Sequence, residues 1–149
     1  MAGATVTIDD AALLESLREI QARGDDTETP LRSIGEALII SHRKRAKDEI
    51  SPDGVKWAQL SHAYKKRKPK HKDRILLLDD HLIAELHYAI DSTGLVFGTD
   101  SVYGAIHQFG GSPGMPPGPA AVPPRPYLGM SKADVEEARE ILSDWVLKK

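Results

Sequence analysis

The sequence predicts an α+β fold, a small antiparallel sheet of a β-hairpin plus short strands, packed with long N-terminal helices and a C-terminal helix. Three observations predict it. Apolar residues recur at helical spacing over residues 11–50 and again over 135–145. Tyr88-Ala89-Ile90 and Leu95-Val96-Phe97 flank Asp91-Ser92-Thr93-Gly94, a glycine-containing loop of hairpin length. The resulting order is two helices, a basic loop, a short helix, the hairpin, a short helix, a Pro-rich arm and a closing helix. At 149 residues the chain fits one domain over 1–149, with a basic loop at 61–74 and a Gly/Pro-rich arm at 110–126.

The elements follow in order. Asp9 is read as the N-cap of a first helix carrying Leu13, Leu17 and Ile20, with Ile8 and Leu13 placed as a hydrophobic staple and Gly24 as a left-handed stop. Thr29 then caps a second helix with Pro30 at its first position. Leu31, Ile34, Leu38, Ile39, Ala46 and Ile50 keep helical spacing until Ser51-Pro52-Asp53-Gly54 turns the chain. His42 falls on that apolar face and is read as a buried, hydrogen-bonded structural histidine. Beyond the turn periodicity is lost, and only Trp57 and Leu60 offer apolar anchors for a long loop. Asp79 can cap a short helix through Leu82, Ile83 and Leu86. After the hairpin, Asp100 or Ser101 can cap another carrying Tyr103, Ile106 and His107, terminated by Phe109-Gly110-Gly111. Ser131 and Asp134 have the spacing of a capping box, and Val135, Ala138, Leu142 and Trp145 line one face of the last helix.

A net charge of -2 conceals segregation: residues 42–74 hold twelve Lys or Arg against four Asp or Glu, a balance of +8, so the remainder carries -10. Such polarity suits head-to-tail stacking of identical subunits, or a basic surface turned to nucleic acid. With no cysteine there is no disulfide, thiolate nucleophile or thiolate metal site. The N-terminus MAGATVTIDD lacks a signal-peptide layout, and no apolar run reaches membrane-span length. The six histidines fall in no metal-ligand spacing, and Asp79-Asp80-His81 reads more simply as a helix start. There is no P-loop, nucleophile elbow or dinucleotide fingerprint. No catalytic residue, cofactor or metal is therefore expected.

Three segments together are specific. Pro52-Asp53-Gly54-Val55-Lys56-Trp57-Ala58-Gln59-Leu60 resembles the "P-D-G-x-x-W-x-x-L" segment of phage virion morphogenesis proteins of the Mu gpG type, also called tail completion proteins. Val96-Phe97-Gly98-Thr99, then Tyr103-Gly104-Ala105-Ile106-His107-Gln108-Phe109-Gly110-Gly111, then Arg125-Pro126-Tyr127-Leu128-Gly129, resembles that family's "V-G-T … Y-A-x-I-H-Q-F-G … R-P-F-L-G". Order and spacing agree across roughly residues 31–147. Gly104 departs from the usual Ala, Tyr127 from Phe, and Asp80 from Gly.

The resemblance implies a non-enzymatic assembly protein that completes the head-proximal end of a phage tail, found in the virion and, during assembly, in the host cytoplasm. Implied partners are other copies in a ring and neighbouring neck and tail proteins, with no membrane. Tyr103, Ile106, Phe109, Tyr127 and Leu128 are read as core supporting the working surfaces. The Pro-rich stretch, with Met115, Pro116, Pro117, Pro119, Val122 and Pro123, is read as a pre-extended arm onto a neighbour. Lys65, Lys66, Arg67, Lys68, Lys70 and Lys72 are read as facing a partner or passing DNA. The competing reading is a nucleic-acid-binding protein that uses Arg43, Lys44, Arg45 and the same loop on phosphates, with Tyr64 as the one neighbouring aromatic.

Overall fold

The computed structural model describes residues 4–6, 10–76, 81–92, 94–111 and 122–148. Helices α1 (Ala11–Ala22) and α2 (Glu28–Asp48) follow a short strand β1 (Ala4–Val6), and α3 (His62–Arg67) and α4 (His81–Ala84) precede the hairpin of β2 (His87–Asp91) and β3 (Gly94–Thr99). Helices α5 (Gly104–Phe109) and α6 (Lys132–Leu147) complete the order. The class is α+β, as the sequence predicts.

The first helix begins one residue later than expected. Asp10, not Asp9, is the cap: its Oδ1 accepts from Leu13 N at 3.0 Å, and its carboxylate also meets Arg139 of α6 at 2.9 Å. The Ile8 half of the expected staple lies outside the described residues. Gly24 has φ +71 and stops the helix as predicted. The second helix starts earlier than expected, at Glu28 with Thr27 in the cap position, and the Asp26 side chain takes the capping role expected of Thr29. The Asp26 carboxylate accepts from Glu28 N at 2.8 Å and from Thr29 N at 3.4 Å. Pro30 is thus the third residue of α2, still within the first turn where an N–H has no intrahelical acceptor.

α2 ends at Asp48 because Glu49 turns left-handed at φ 57, which costs a side chain with a Cβ something like 1 kcal/mol. The Glu49 carboxylate holds that turn by accepting from Ile75 N at 2.9 Å. Gly54 N then closes the expected turn on Ser51 O at 2.9 Å.

The expected loop at 61–74 contains a helix. Ser61 Oγ accepts from Tyr64 N at 3.2 Å, and the Ala, Lys and Arg residues of α3 are good helix formers. Lys68 ends it in extended backbone, as the residue before a proline must. The Asp79 cap expected for α4 lies outside the described residues, and Leu86 sits beyond the helix end but is buried. α5 has Tyr103 at its cap position with no side-chain cap bond. Ser101 serves through its own carbonyl, which accepts from Gly104 N at 2.9 Å. The Ser131–Asp134 capping box of α6 forms in full.

β2 and β3 pair antiparallel with Asp91 opposite Gly94, so the strands run one residue further into the loop at each end than the pattern suggested. β1 is a short strand of the kind expected beside the hairpin, at a place the sequence pattern did not mark; it pairs with the other edge of β3 and makes it central, in the order β1-β3-β2. α2 lies between this sheet and α6, while α1 packs on α6. The helix comes close to the sheet at Gly35, where a Cβ would stand 2.6 Å from the Tyr88 ring. Leu31, Ile34, Leu38, Phe97, Ala138 and Leu142 meet in the resulting core.

Candidate functional site

The motif segments that are far apart in sequence converge on one extended stretch, Arg125 to Gly129. Proline at 126 and the Gly/Pro-rich run before it leave this backbone without helix or ladder partners, so side chains supply them. Gln108 of α5 does most of this. Its Oε1 accepts from Tyr127 N and Leu128 N, both at 3.0 Å, and its Nε2 donates to Leu128 O at 3.1 Å. Trp57, buried at 3% exposure, donates from Nε1 to Pro126 O at 2.7 Å.

Arg125 is also buried. Its Nε donates to Ala58 O at 2.7 Å and its Nη2 to Gln59 O at 3.0 Å, which ties the Trp57 segment to the same knot. Burial pushes its guanidinium below the ordinary arginine value, because carbonyls rather than a carboxylate receive it. His107 O accepts from Arg125 N at 2.8 Å. The His107 ring is half-buried, with Nδ1 making no hydrogen bond among the described residues, and burial followed by the nearby Arg125 charge lowers its pKa. Leu60 is half-buried against the core.

Tyr127 explains two departures from the family pattern at once. Its hydroxyl donates to Gly104 O at 3.0 Å, and a Cβ on Gly104 would stand 2.9 Å from the Tyr127 hydroxyl oxygen and 2.8 Å from Thr99 Cγ2. The extra oxygen of Tyr over Phe thus occupies space beside the missing methyl of Gly over Ala.

The stretch ends on α2. Gly129 N donates to His42 Nε2 at 3.2 Å, while His42 Nδ1 bonds Leu38 O at 2.7 Å. A carbonyl can only accept, so the ring is the neutral Nδ1–H form, and burial followed by the Arg45 charge lowers its pKa to about 4. Arg45 donates to Gly129 O at 2.7 Å and to Asp134 Oδ2 at 2.6 Å, a buried ion pair between α2 and α6. Sequence reasoning placed Arg45 with the solvated cations. The signal for burial was its spacing, three residues after His42 and seven after Leu38 on the apolar face.

Other expectations need correction. Tyr103 and Phe109 are not core: they are 54% and 72% exposed, whereas Ile106, Tyr127 and Leu128 are buried. Gly110, at φ +80, ends α5 beside them. In the basic loop Lys68 is not partner-facing. It is 3% exposed, and its Nζ donates to His71 O at 2.8 Å and Arg74 O at 2.6 Å. Lys65 pairs with Asp73 at 3.7 Å, and the Arg67 guanidinium lies 5.8 Å from the Tyr64 ring centre. Lys66, Arg67, Lys70 and Lys72 are exposed. Two cations assigned to phosphate contact, Arg45 and Lys68, are thereby unavailable for it. Of the arm, Met115, Pro116, Pro117 and Pro119 lie outside the described residues. Its base is closed, with Gly111 N donating to Val122 O at 3.0 Å and Val122 N to Gly111 O at 3.1 Å, and Pro123 beyond it is exposed. Among the described residues no group of three or more His, Asp or Glu could hold a metal ion, and no helix is long and apolar enough to cross a membrane.

The chain, a small α+β protein with this knot, belongs to the phage virion morphogenesis family, whose sequence model matches residues 8–147. It is similar to a protein of Escherichia phage Mu that bears the name "Putative capsid assembly protein G", with 30% identity over 136 residues, covering 89% of this chain and 86% of that one. No solved structure matches. Family membership makes this a protein of phage virion morphogenesis.

Proposed function

We propose that the protein completes the head-proximal end of a phage tail as one subunit of a ring, and makes that end competent to join the capsid. The observation that carries this reading is the exposure of two large aromatics within the 103–111 motif. Gln108 bonds the Arg125–Gly129 stretch and Ile106 is buried, while Tyr103 and Phe109 are 54% and 72% exposed. Aromatic residues are enriched where a partner docks. Val102, next to Tyr103 in the chain, is 70% exposed. The Gly/Pro-rich segment joins the described structure at the Gly111–Val122 bridge, two residues after Phe109 in the chain.

A phage genome carrying Phe109→Ser, or a shortened stretch within 112–121, tests the reading. The purified variants should keep the wild-type circular dichroism, while lysates yield separate heads and tails and few infectious particles. Normal yields of tailed, infectious particles from folded variants would reject it.

A further inference from the structure

Two charged surfaces lie outside the motif knot. The first is the outer side of α6. At 3.6 residues per turn Ala133, Glu136, Glu137, Glu140, Asp144 and Leu147 fall on one side of that helix, opposite Ala138 and Leu142. All six are exposed, Leu147 at 79%. Glu136 is held by Arg139 at 2.9 Å, whereas Glu137, Glu140 and Asp144 make no ion pair among the described residues. The last turn of the helix contains no basic residue, and Lys148 follows at its C-cap position.

The second surface is a groove of about 430 Å³ at the C-terminal end of α2. Arg43, Lys47 and Arg74 rim it, and Ala46, Ile75 and Ile83 are among its apolar lining. Arg43 and Lys47 are exposed, and Arg74 is partly engaged, donating from Nη2 to Lys47 O at 2.9 Å. The chain's own α6 cannot fill this groove. Arg45 is the α2 residue turned to α6, through Asp134, and helical residues two apart point roughly 200° from one another. Arg43 and Lys47 therefore project away from α6.

We propose that the acidic outer face of α6 in one copy docks into this basic groove of the next copy. Glu140 and Asp144 meet Arg43 and Lys47, and Leu147 covers the apolar lining. The inference rests on the ring-subunit reading and deepens it by naming the two surfaces. Such a contact is head-to-tail, so every copy retains one surface of each kind, as closure of a ring requires. Complementary fields on a single chain steer this encounter. A nucleic acid would use the three cations but would leave the half-buried Ala46, Leu76 and Ile83 uncovered and the α6 acids without a role.

The test measures mass in solution by sedimentation, at about 50 mM and about 500 mM salt, because exposed charges are strongly screened at the higher value. The proteins are wild type, Arg43→Glu with Lys47→Glu, Glu140→Lys with Asp144→Lys, and the fourfold variant, each checked by circular dichroism. Wild type should associate at low salt and less at high salt. Each double variant should weaken association on the order of tenfold or more. The fourfold variant, and an equal mixture of the two double variants, should recover it because the signs again complement. Double variants that associate like wild type, or a folded fourfold variant that fails to recover, would overturn the interface and leave the ring reading standing. A wild type that stays monomeric at every concentration would overturn both. If the Arg43→Glu, Lys47→Glu protein loses binding to a short DNA duplex while its self-association is unchanged, the groove belongs to nucleic acid and the proposal fails.

Discussion

Gly104 and Tyr127 share one space, and a double-mutant cycle measures how tightly. In Gly104→Ala the new methyl would stand 2.8 Å from Thr99 Cγ2 and 2.9 Å from the Tyr127 hydroxyl, against ordinary contacts of 3.4–4 Å. Tyr127 is 2% exposed and Thr99 is fully buried, so neither can swing into solvent, and the ring or the α5 backbone must move by roughly 0.5 Å. Overpacking of this kind costs about 1 to 3 kcal/mol, offset by up to about 1 kcal/mol from the reduced freedom of alanine in the unfolded chain. Tyr127→Phe alone loses the 3.0 Å bond to Gly104 O and should cost about 1 kcal/mol or somewhat more. Together the changes should cost less than their sum, by about 1 kcal/mol, because removing the hydroxyl vacates the place of the methyl. Urea unfolding followed by circular dichroism gives all four stabilities. Additivity within about 0.4 kcal/mol would refute the shared-space argument.

Trp57→Ala should destabilise the fold by about 3 to 5 kcal/mol, since it removes a buried ring and leaves Pro126 O without its donor; a midpoint shift worth less than about 1 kcal/mol in the same unfolding experiment would contradict this. Acid should destabilise the protein through His42, which binds a proton near 6.5 when unfolded but only at about 4 when folded. Its stabilisation is complete above the unfolded value and declines as pH falls through that window, by about 2 to 3 kcal/mol between pH 7 and 4.5. His107, also lowered, adds a loss of the same sign. Unfolding curves of His42→Gln should start lower at pH 7 yet fall less with acid, and an unchanged slope would count against the assignment. In the basic segment Lys65, Lys66, Arg67, Lys70 and Lys72 changed together to Gln should leave stability within about 0.5 kcal/mol. Lys68→Met should instead cost about 1 to 3 kcal/mol by stranding two carbonyls, and equal effects would disprove the distinction.

Local chemistry made much of this fold legible in advance. The Ser131–Asp134 box, the Gly24 stop and the hairpin across 91–94 each depend on residues within a turn or two of one another, so the sequence alone determined them, and helical spacing placed His42 on the buried face. Composition and the three spaced motifs likewise determined the family. Tertiary structure decided the rest. Arg45 and Lys68 look like their exposed neighbours in the sequence, and only Asp134, Gly129, His71 and Arg74, which the fold brings around them, make burial of a cation tolerable. Tyr103 and Phe109 carry the same apolar signal as Tyr127, but a helix of six residues can turn only part of its surface inward. β1, three residues long, has no stability of its own and exists because the free edge of β3 supplies its hydrogen bonds. Gln108 acts as an adhesive for two backbone amides 19 and 20 residues away, a pairing that no local pattern can encode because chain distance and spatial distance are unrelated there.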